Sequence, residues 1–397
     1  MNPKRILILS LAYYPELVGG AEVAIKEITD RFSNTEATFD MITLRLNSKL
    51  PKFEKIGNVN IYRVGFTKNN PSAKELVSFP LYLNKVFYPI LAVIKSWKLD
   101  RQNHYDGMWA MMSYMGMVAA LIQIFVRKIP FVLTIQDGDD FRHILGRMRI
   151  RFFVPLIKMG FRRASVVQPI SNYLAVWAGK MGAKRVVVVP NGVNLGKFQN
   201  PKNNFQSEEL RKKYGIGINE KVIITTSRLV FKNGVDVLIK AMKYLPEDVK
   251  LLVVGDGPLL SELQLTTNNL QLENRVIFAG FISQENIPEY LSAGDVFVRL
   301  SRSEGQGISF IEAMAAGLPV LATNVGGIPD FITDKETGLL VLPDDSEEAA
   351  RKIIILIRDE AVRERLVSNA SKLVIEKYNW SGIVLRLKDE VFSFLKD

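Results

Sequence analysis

Cysteine is absent from the 397 residues, and histidine occurs only twice, at His104 and His143. The first absence excludes disulfides, thiolate metal sites and cysteine nucleophiles. The second excludes a multi-histidine metal centre. Acidic residues are missing from one long stretch, since residues 141–207 hold 12 Lys and Arg and no Asp or Glu. There is also no low-complexity segment, no short-period repeat and no GxGxxG phosphate loop. The amino-terminal apolar run KRILILSLAYYP is short and lacks a small-residue cleavage site, so it reads as a first strand and not a leader.

What is present is enough apolar material, 48% of residues with 10% aromatic, to fill the cores of two domains. Charge is divided unevenly between them. Residues 1–195 carry 27 Lys and Arg against 13 Asp and Glu, and residues 196–397 carry 25 against 28. Such a one-sided field attracts anions, namely lipid head groups, phosphorylated acceptors or nucleic acid, or else it is a solvated basic face. Residues 107–126, GMWAMMSYMGMVAALIQIFV, contain no charge and are long enough for a membrane span. A change of character at Gly116 divides them into a buried strand, DGMWAMM, and a buried helix, MGMVAALIQIFVRK.

The first half alternates apolar strands (KRILILS, ATFDMITL, NVNIYRV, DGMWAMM, FVLTI, SVVQPIS, RVVVVP) with helices expected at 20–32, 76–98, 149–162 and 171–181. The second half repeats the rhythm with KVIITTS, KLLVVGD, RVIFAG, DVFVRLS and PVLAT, and helices at 234–244, 258–266, 284–292 and 309–316. Strands with few polar positions, separated by helices, indicate parallel sheets covered on both faces. The expected fold class is therefore α/β with two doubly wound domains, 1–195 and 196–379. An amphipathic terminal helix over 380–397 buries Ile383, Leu385, Leu387, Val391, Phe392 and Phe394. Ligands of such sheets bind beyond the carboxyl ends of the strands, so chemistry is expected in the cleft between the domains.

Arg228 and Lys232 follow KVIITTS in SRLVFKNG, a pair of cations ahead of a helix that suits a diphosphate, or two solvated loop cations. Gly19 and Gly20 lie between the first strand and helix, where backbone amides can meet a phosphate. GDGP at 255–258 reads as a turn that starts a helix. Downstream, SRSEGQGISFIEAM sets Glu304 on a loop and Glu312 in a helix with seven residues between. Carboxylates accept hydrogen bonds from sugar and ribose hydroxyls, whereas the loop amides freed by Gly305 and Gly307 suit phosphate. The residues alone equally allow a helix cap and a solvated acid. The cluster DGDD at 137–140 invites an Mg²⁺ or Mn²⁺ reading, and His104 reads as a surface residue.

The glutamate pair followed by AMAAGLPV and GGIPD resembles the signature of the retaining family 4 glycosyltransferases, as do SRL with its lysine, the PNGV junction and the early GG loop. The likeness runs along almost the whole chain. It implies a GT-B fold, two Rossmann-like domains facing each other across a cleft, with the carboxyl-terminal helix crossing back onto the first. It also implies an enzyme that moves a hexose from a nucleotide diphosphate sugar to an acceptor hydroxyl with retention, without a metal or other cofactor. By this resemblance Arg228 and Lys232 hold the diphosphate, and Glu304 meets sugar hydroxyls with help from the amides of Gln306, Gly307 and Ile308. Glu312 binds the ribose, Gly19 and Gly20 let the first domain approach the phosphates, and the base lies near Phe281 and Ile282. Many relatives carry a histidine after the strand corresponding to FVLTI; here Gln136 stands there, with Asp137 beside it and His143 beyond. The candidate catalytic residues are thus Glu304, Arg228, Lys232, Gln136 and Asp137, and Glu304→Ala or Arg228→Ala is expected to abolish most turnover with the fold intact.

The basic excess falls in the half left for the acceptor. Residues 142–163 interleave seven cations with Phe, Leu, Ile and Met, and FPLYLNKVFYPILAVIKSWK does so upstream. Lys and Arg beside exposed apolar residues suit a monotopic membrane contact; apolar faces packed inside the domain are the alternative. The expectation is a cytoplasmic protein, peripheral at the inner face of the plasma membrane, acting on a lipid-linked or phosphorylated glycan acceptor. Rival readings are a GT-B sugar-nucleotide epimerase and a non-catalytic nucleic-acid-binding protein. No aromatic-rich RNA-binding signature is present, so no nucleic-acid partner is expected.

Overall fold

The computed structural model describes residues 3–16, 19–72, 75–138, 153–198 and 204–393. His143, Asp139, Asp140, Phe394 and the basic residues of 142–152 lie outside them. The chain forms two compact units, Met1–Pro190 with Trp380–Asp397, and Asn191–Asn379.

The first unit is built on a seven-stranded sheet of order β3-β4-β2-β1-β5-β6-β7. Its strands are β1 (Lys4–Leu9), β2 (Ala37–Leu44), β3 (Phe53–Ile56), β4 (Val59–Val64), β5 (Gly107–Met111), β6 (Phe131–Ile135) and β7 (Val166–Pro169). All pairings are parallel except that of β3 with β4, an antiparallel hairpin whose half-polar edge strand FEKI carries too little apolar signal to be expected. Strands β5 and β6 are buried along their whole length, as strands covered on both faces are. The helices are α1 (Gly20–Thr29), α2 (Leu83–Asn103), α3 (Ser113–Phe125), α4 (Val154–Arg163) and α5 (Asn172–Lys180). The uncharged stretch 107–126 is therefore β5 followed by α3. Gly160 lets α4 cross α3 closely, because a Cβ there would stand 2.4 Å from the Gly116 carbonyl carbon.

Three expectations need correction here. α2 starts at Leu83 and not near 76, because Pro80 interrupts the helix register. Pro89 within it leaves the Lys85 carbonyl without its helical donor, and the Tyr114 hydroxyl donates to that oxygen at 2.7 Å. RVVVVP is not a strand; it runs beside β7 through Val187 N–H to Val167 O (3.0 Å) and Val189 N–H to Pro169 O (3.1 Å), and the Gln168 side chain takes the Val189 carbonyl. At the carboxyl end, Trp380, Ile383, Val384, Leu387 and Val391 join the core around Ile6, Phe39 and Trp109, whereas Leu385 is exposed.

The second unit has a six-stranded, all-parallel sheet of order β10-β9-β8-β11-β12-β13. The strands are β8 (Lys221–Thr226), β9 (Val249–Val254), β10 (Val276–Gly280), β11 (Val296–Arg299), β12 (Val320–Thr323) and β13 (Leu339–Val341). Its helices are α6 (Leu195–Phe198), α7 (Asn204–Lys213), α8 (Val235–Ala241), α9 (Leu260–Asn269), α10 (Ile287–Ser292), α11 (Ile308–Ala315), α12 (Ser346–Arg358) and α13 (Glu360–Lys377). From β8 the chain winds outward through β9 to β10, then returns to lay β11 on the other side of β8. The carboxyl ends of β8 and β11 thus flank the point where the winding reverses, the place where doubly wound sheets bind ligands.

Candidate functional site

Two loops meet at that point. The first, after β8, carries Arg228, whose exposed guanidinium has no hydrogen-bond or ion-pair partner among the described residues. Its backbone is fixed from below: Leu229 N–H donates to Asp256 O at 2.9 Å, and a Cβ on Gly257 would lie 2.4 Å from the Leu229 oxygen. GDGP is thus both the turn ahead of α9 and a floor under the Arg228 loop. Half-buried Lys232 follows, with its carbonyl accepting from Arg302 N–H at 2.7 Å. The Arg302 guanidinium closes the loop, donating to Phe231 O (2.7 Å), Asp236 (2.7 and 2.9 Å) and Asp344 (2.8 Å). Those carboxylates push the Arg302 pKa above its ordinary range.

The second loop runs from β11 to α11. Glu304 is largely buried and paired with Arg299, with Nη2 to Oε2 at 2.6 Å, while its Oε1 accepts from Gly305 N–H at 3.0 Å. Gly326 and Gly327 hold the backbone of Glu304. Gly327 N–H donates to the Glu304 carbonyl at 3.1 Å, and Gly326 has φ +55 with a position for Cβ only 1.9 Å from that oxygen. Gly326→Ala is therefore expected to lose about 2–4 kcal/mol of stability from backbone strain plus overlap. A denaturation midpoint equal to the parent's would contradict this packing.

Gln306 is expected to contribute its backbone amide, and its side chain has a separate task. Its side chain is buried and clips the backbone of Asn191, accepting from the N–H at 2.8 Å and donating to the carbonyl at 2.9 Å. The amides of Gln306, Gly307 and Ile308 still lead into α11, whose amino end Gly307 forms in a left-handed conformation (φ +86). One turn on, Glu312 is buried within α11. Burial raises its pKa from 4.5 to about 7, against a hydrogen bond from Gln284 and the positive charges of Arg299 and Lys197. Gln284 is three residues beyond exposed Phe281, so the segment expected to meet a base adjoins the acid expected to meet a ribose.

The raised value fixes a sign. Between pH 4.5 and 7 the native Glu312 keeps a proton that the unfolded chain has lost, so stability falls as pH rises through that window. At ~1.4 kcal/mol per pH unit the loss reaches roughly 3 kcal/mol above pH 7. Glu312→Gln should stabilise the ligand-free chain at pH 8 and do little at pH 4.5, as read by denaturant unfolding at both values. Equal effects at the two pH values would contradict the buried, proton-binding carboxyl.

The remaining expected residues are in the first unit. Gly19 caps α1, and its N–H is already taken by Glu22 Oε2 at 2.8 Å, so that amide serves the helix. A Cβ on Gly20 would meet nothing within 4 Å, which leaves that position open. Gln136 and Asp137 follow β6, and Asp137 accepts from Ser113 Oγ at 2.5 Å at the start of α3. Among the described residues, no group of three or more His, Asp or Glu could hold a metal ion. His104 is exposed in a left-handed conformation at the end of α2. Sequence reasoning missed Arg299, Arg302 and Asn233; the available signal was a cation ending the otherwise apolar strand VFVR.

Residues 18–197 match the family described as Glycosyltransferase Family 4, and residues 206–373 match Glycosyl transferases group 1. The chain is 29% identical over 398 residues to the N-acetyl-alpha-D-glucosaminyl L-malate synthase of Bacillus anthracis, covering 98% of each. It is 37% identical over 225 residues to the alpha-monoglucosyldiacylglycerol synthase of Streptococcus pneumoniae, 54% of this chain and 50% of that one. The crystal structure of Anabaena HepE in complex with UDP and glucose shares the fold with a TM-score of 0.78 at 24% identity, over 98% of this chain and 100% of that one. With these matches over both sheets and the paired loops at the winding reversal, the chain belongs to the family 4 glycosyltransferases of GT-B fold.

Proposed function

We propose that the protein transfers a hexose, with retention, from a nucleoside diphosphate sugar to a hydroxyl of a lipid-linked or phosphorylated glycan acceptor. The observation that carries the reading is the pair of loops at β8 and β11, which bring Arg228 and Lys232 to the same strand ends as Glu304 and Glu312. The two cations take the diphosphate and the negative charge that grows on it as the sugar leaves, so the reading needs no divalent metal. Glu304 accepts from sugar hydroxyls and Glu312 from the ribose, with Phe281 offering an exposed face to the base. As the bond from sugar carbon to phosphate oxygen breaks, the acceptor oxygen bonds to the same face of that carbon. Its proton passes to the departing phosphate oxygen, so no side-chain base is required and Gln136 is tolerated. The edge holding Gly19, Gly20, Gln136 and Asp137 is left for the acceptor side.

A membrane-borne acceptor is supported by α2. Tyr82, Val86, Ile90, Ile94 and Trp97 form one exposed apolar stripe at helical spacing, with Lys85, Lys98 and Arg101 beside it. Arg101 stacks over the Trp97 ring at 3.9 Å, and the helix's one acid, Asp100, is buried under Arg127. No described helix is long and apolar enough to cross a membrane. An anionic bilayer surface at the cytoplasmic face is the occupant this stripe fits. The chain should float with phosphatidylglycerol vesicles at low salt, and Ile90→Glu with Ile94→Glu should stay behind. An unbound native chain, or an unaffected double variant, contradicts the contact. Alpha-monoglucosyldiacylglycerol synthase, similar over half of each chain, is named for a lipid product, in line with this reading.

The function itself is tested by thermal shift with UDP, GDP, ADP and their sugars, followed by product analysis. The reading expects one nucleotide class to raise Tm and its sugar to appear on an added acceptor. A rearranged donor would make the protein an epimerase, and no response with salt-sensitive RNA binding would remove the enzyme reading.

A further inference from the structure

We infer that Arg299 is a positioning residue that ties the sugar-reading and phosphate-gripping loops into one unit, an inference that rests on the donor-site reading above. Arg299 ends β11, a strand otherwise made of Val296, Phe297 and Val298, in a place that an apolar side chain would fill without the desolvation a cation suffers. Its planar fork serves three segments at once. Nη1 donates to Ser309 Oγ at the start of α11 (2.9 Å), and Nη2 donates to Glu304 Oε2 (2.6 Å) and to Asn233 Oδ1 (2.8 Å). Buried Asn233 passes the connection on, because its Nδ2 donates to the Arg228 carbonyl at 2.6 Å. The backbone that carries the diphosphate cation and the carboxylate that meets the sugar are therefore joined through one guanidinium and one amide.

The geometry also fixes what remains of Glu304. With Oε2 on Arg299 and Oε1 on Gly305 N–H, the carboxylate cannot rotate, and each oxygen has acceptor capacity left for a hydroxyl. A lysine at 299 keeps the charge but cannot hold three acceptors in one plane. Arg299 touches no donor atom in this scheme; it acts through Glu304 and Asn233.

The test is a double-mutant cycle in the full chain. The donor is whichever of UDP-glucose, UDP-N-acetylglucosamine and GDP-mannose raises the Tm of the native protein and is turned over. Arg299→Lys is expected to lower kcat/KM on the order of 10- to 100-fold, the range of a lost charge-assisted contact. In a Glu304→Gln background the same change should cost several-fold less than in the native chain, because the charged route through Glu304 is lost there while the one through Asn233 remains. A merely structural role would give the full loss in both backgrounds, and that result overturns the proposal while leaving the donor site standing. If Arg299→Lys does not fold, Ser309→Ala removes one anchor only and should show the same coupling at a smaller amplitude; full additivity there is equally fatal. No response of the native chain to any of the three donors would instead overturn the functional reading on which this rests.

Discussion

Arg228→Ala is expected to lower kcat/KM about a thousandfold, the scale seen when a charge-stabilising donor is removed from a developing anion. The same variant should unfold at the parent's midpoint. Its guanidinium is exposed and engages nothing else among the described residues, while the loop is held by backbone bonds to Asp256 and by Asn233. Activity and stability are thus separable at this position. A variant with near-parental turnover would show that the diphosphate is gripped elsewhere.

Glu304→Ala is expected to lose turnover on a similar scale and to lose stability as well. From sequence alone the fold should survive this change; the pair with Arg299 revises that expectation. Truncating one member of a buried pair leaves the other charge uncompensated, at a cost of ~3–5 kcal/mol. Both partners here are mostly shielded from solvent. Glu304→Gln keeps an acceptor near Arg299 and should recover much of the stability but little of the activity. Urea midpoints and donor kinetics measured on the two variants decide this. If Ala and Gln proved equally stable, the Arg299 pair would not be holding the loop.

The fold was legible because its signal is local. Runs such as KVIITTS and KLLVVGD have apolar interiors with no polar alternation, as doubly covered parallel strands do, and helical periods fill the gaps. Elements with weaker signals were lost: FEKI alternates too briefly to stand out, and RVVVVP has strand composition yet lies at an edge where the Gln168 side chain takes one of its carbonyls. Glu304, Glu312, Arg228 and Lys232 were legible as residue types placed just after strands, with roles supplied by family resemblance. Their supports were not. Arg299, Asn233 and Arg302 act through contacts between segments distant in sequence, 66 residues apart for Arg299 with Asn233 and 71 for Arg302 with Phe231, and no local spacing encodes such a meeting. Gln306 shows the converse, a residue in the right loop whose side chain is committed to Asn191.

The central claim is that a pyrophosphate is held at the carboxyl ends of β8 and β11. A crystal of the full chain with the donor selected by thermal shift tests it most directly. Both phosphates should lie within hydrogen-bonding reach of Arg228 and Lys232, the ribose hydroxyls at Glu312 and the sugar hydroxyls at Glu304. Donor density away from these four side chains would contradict it.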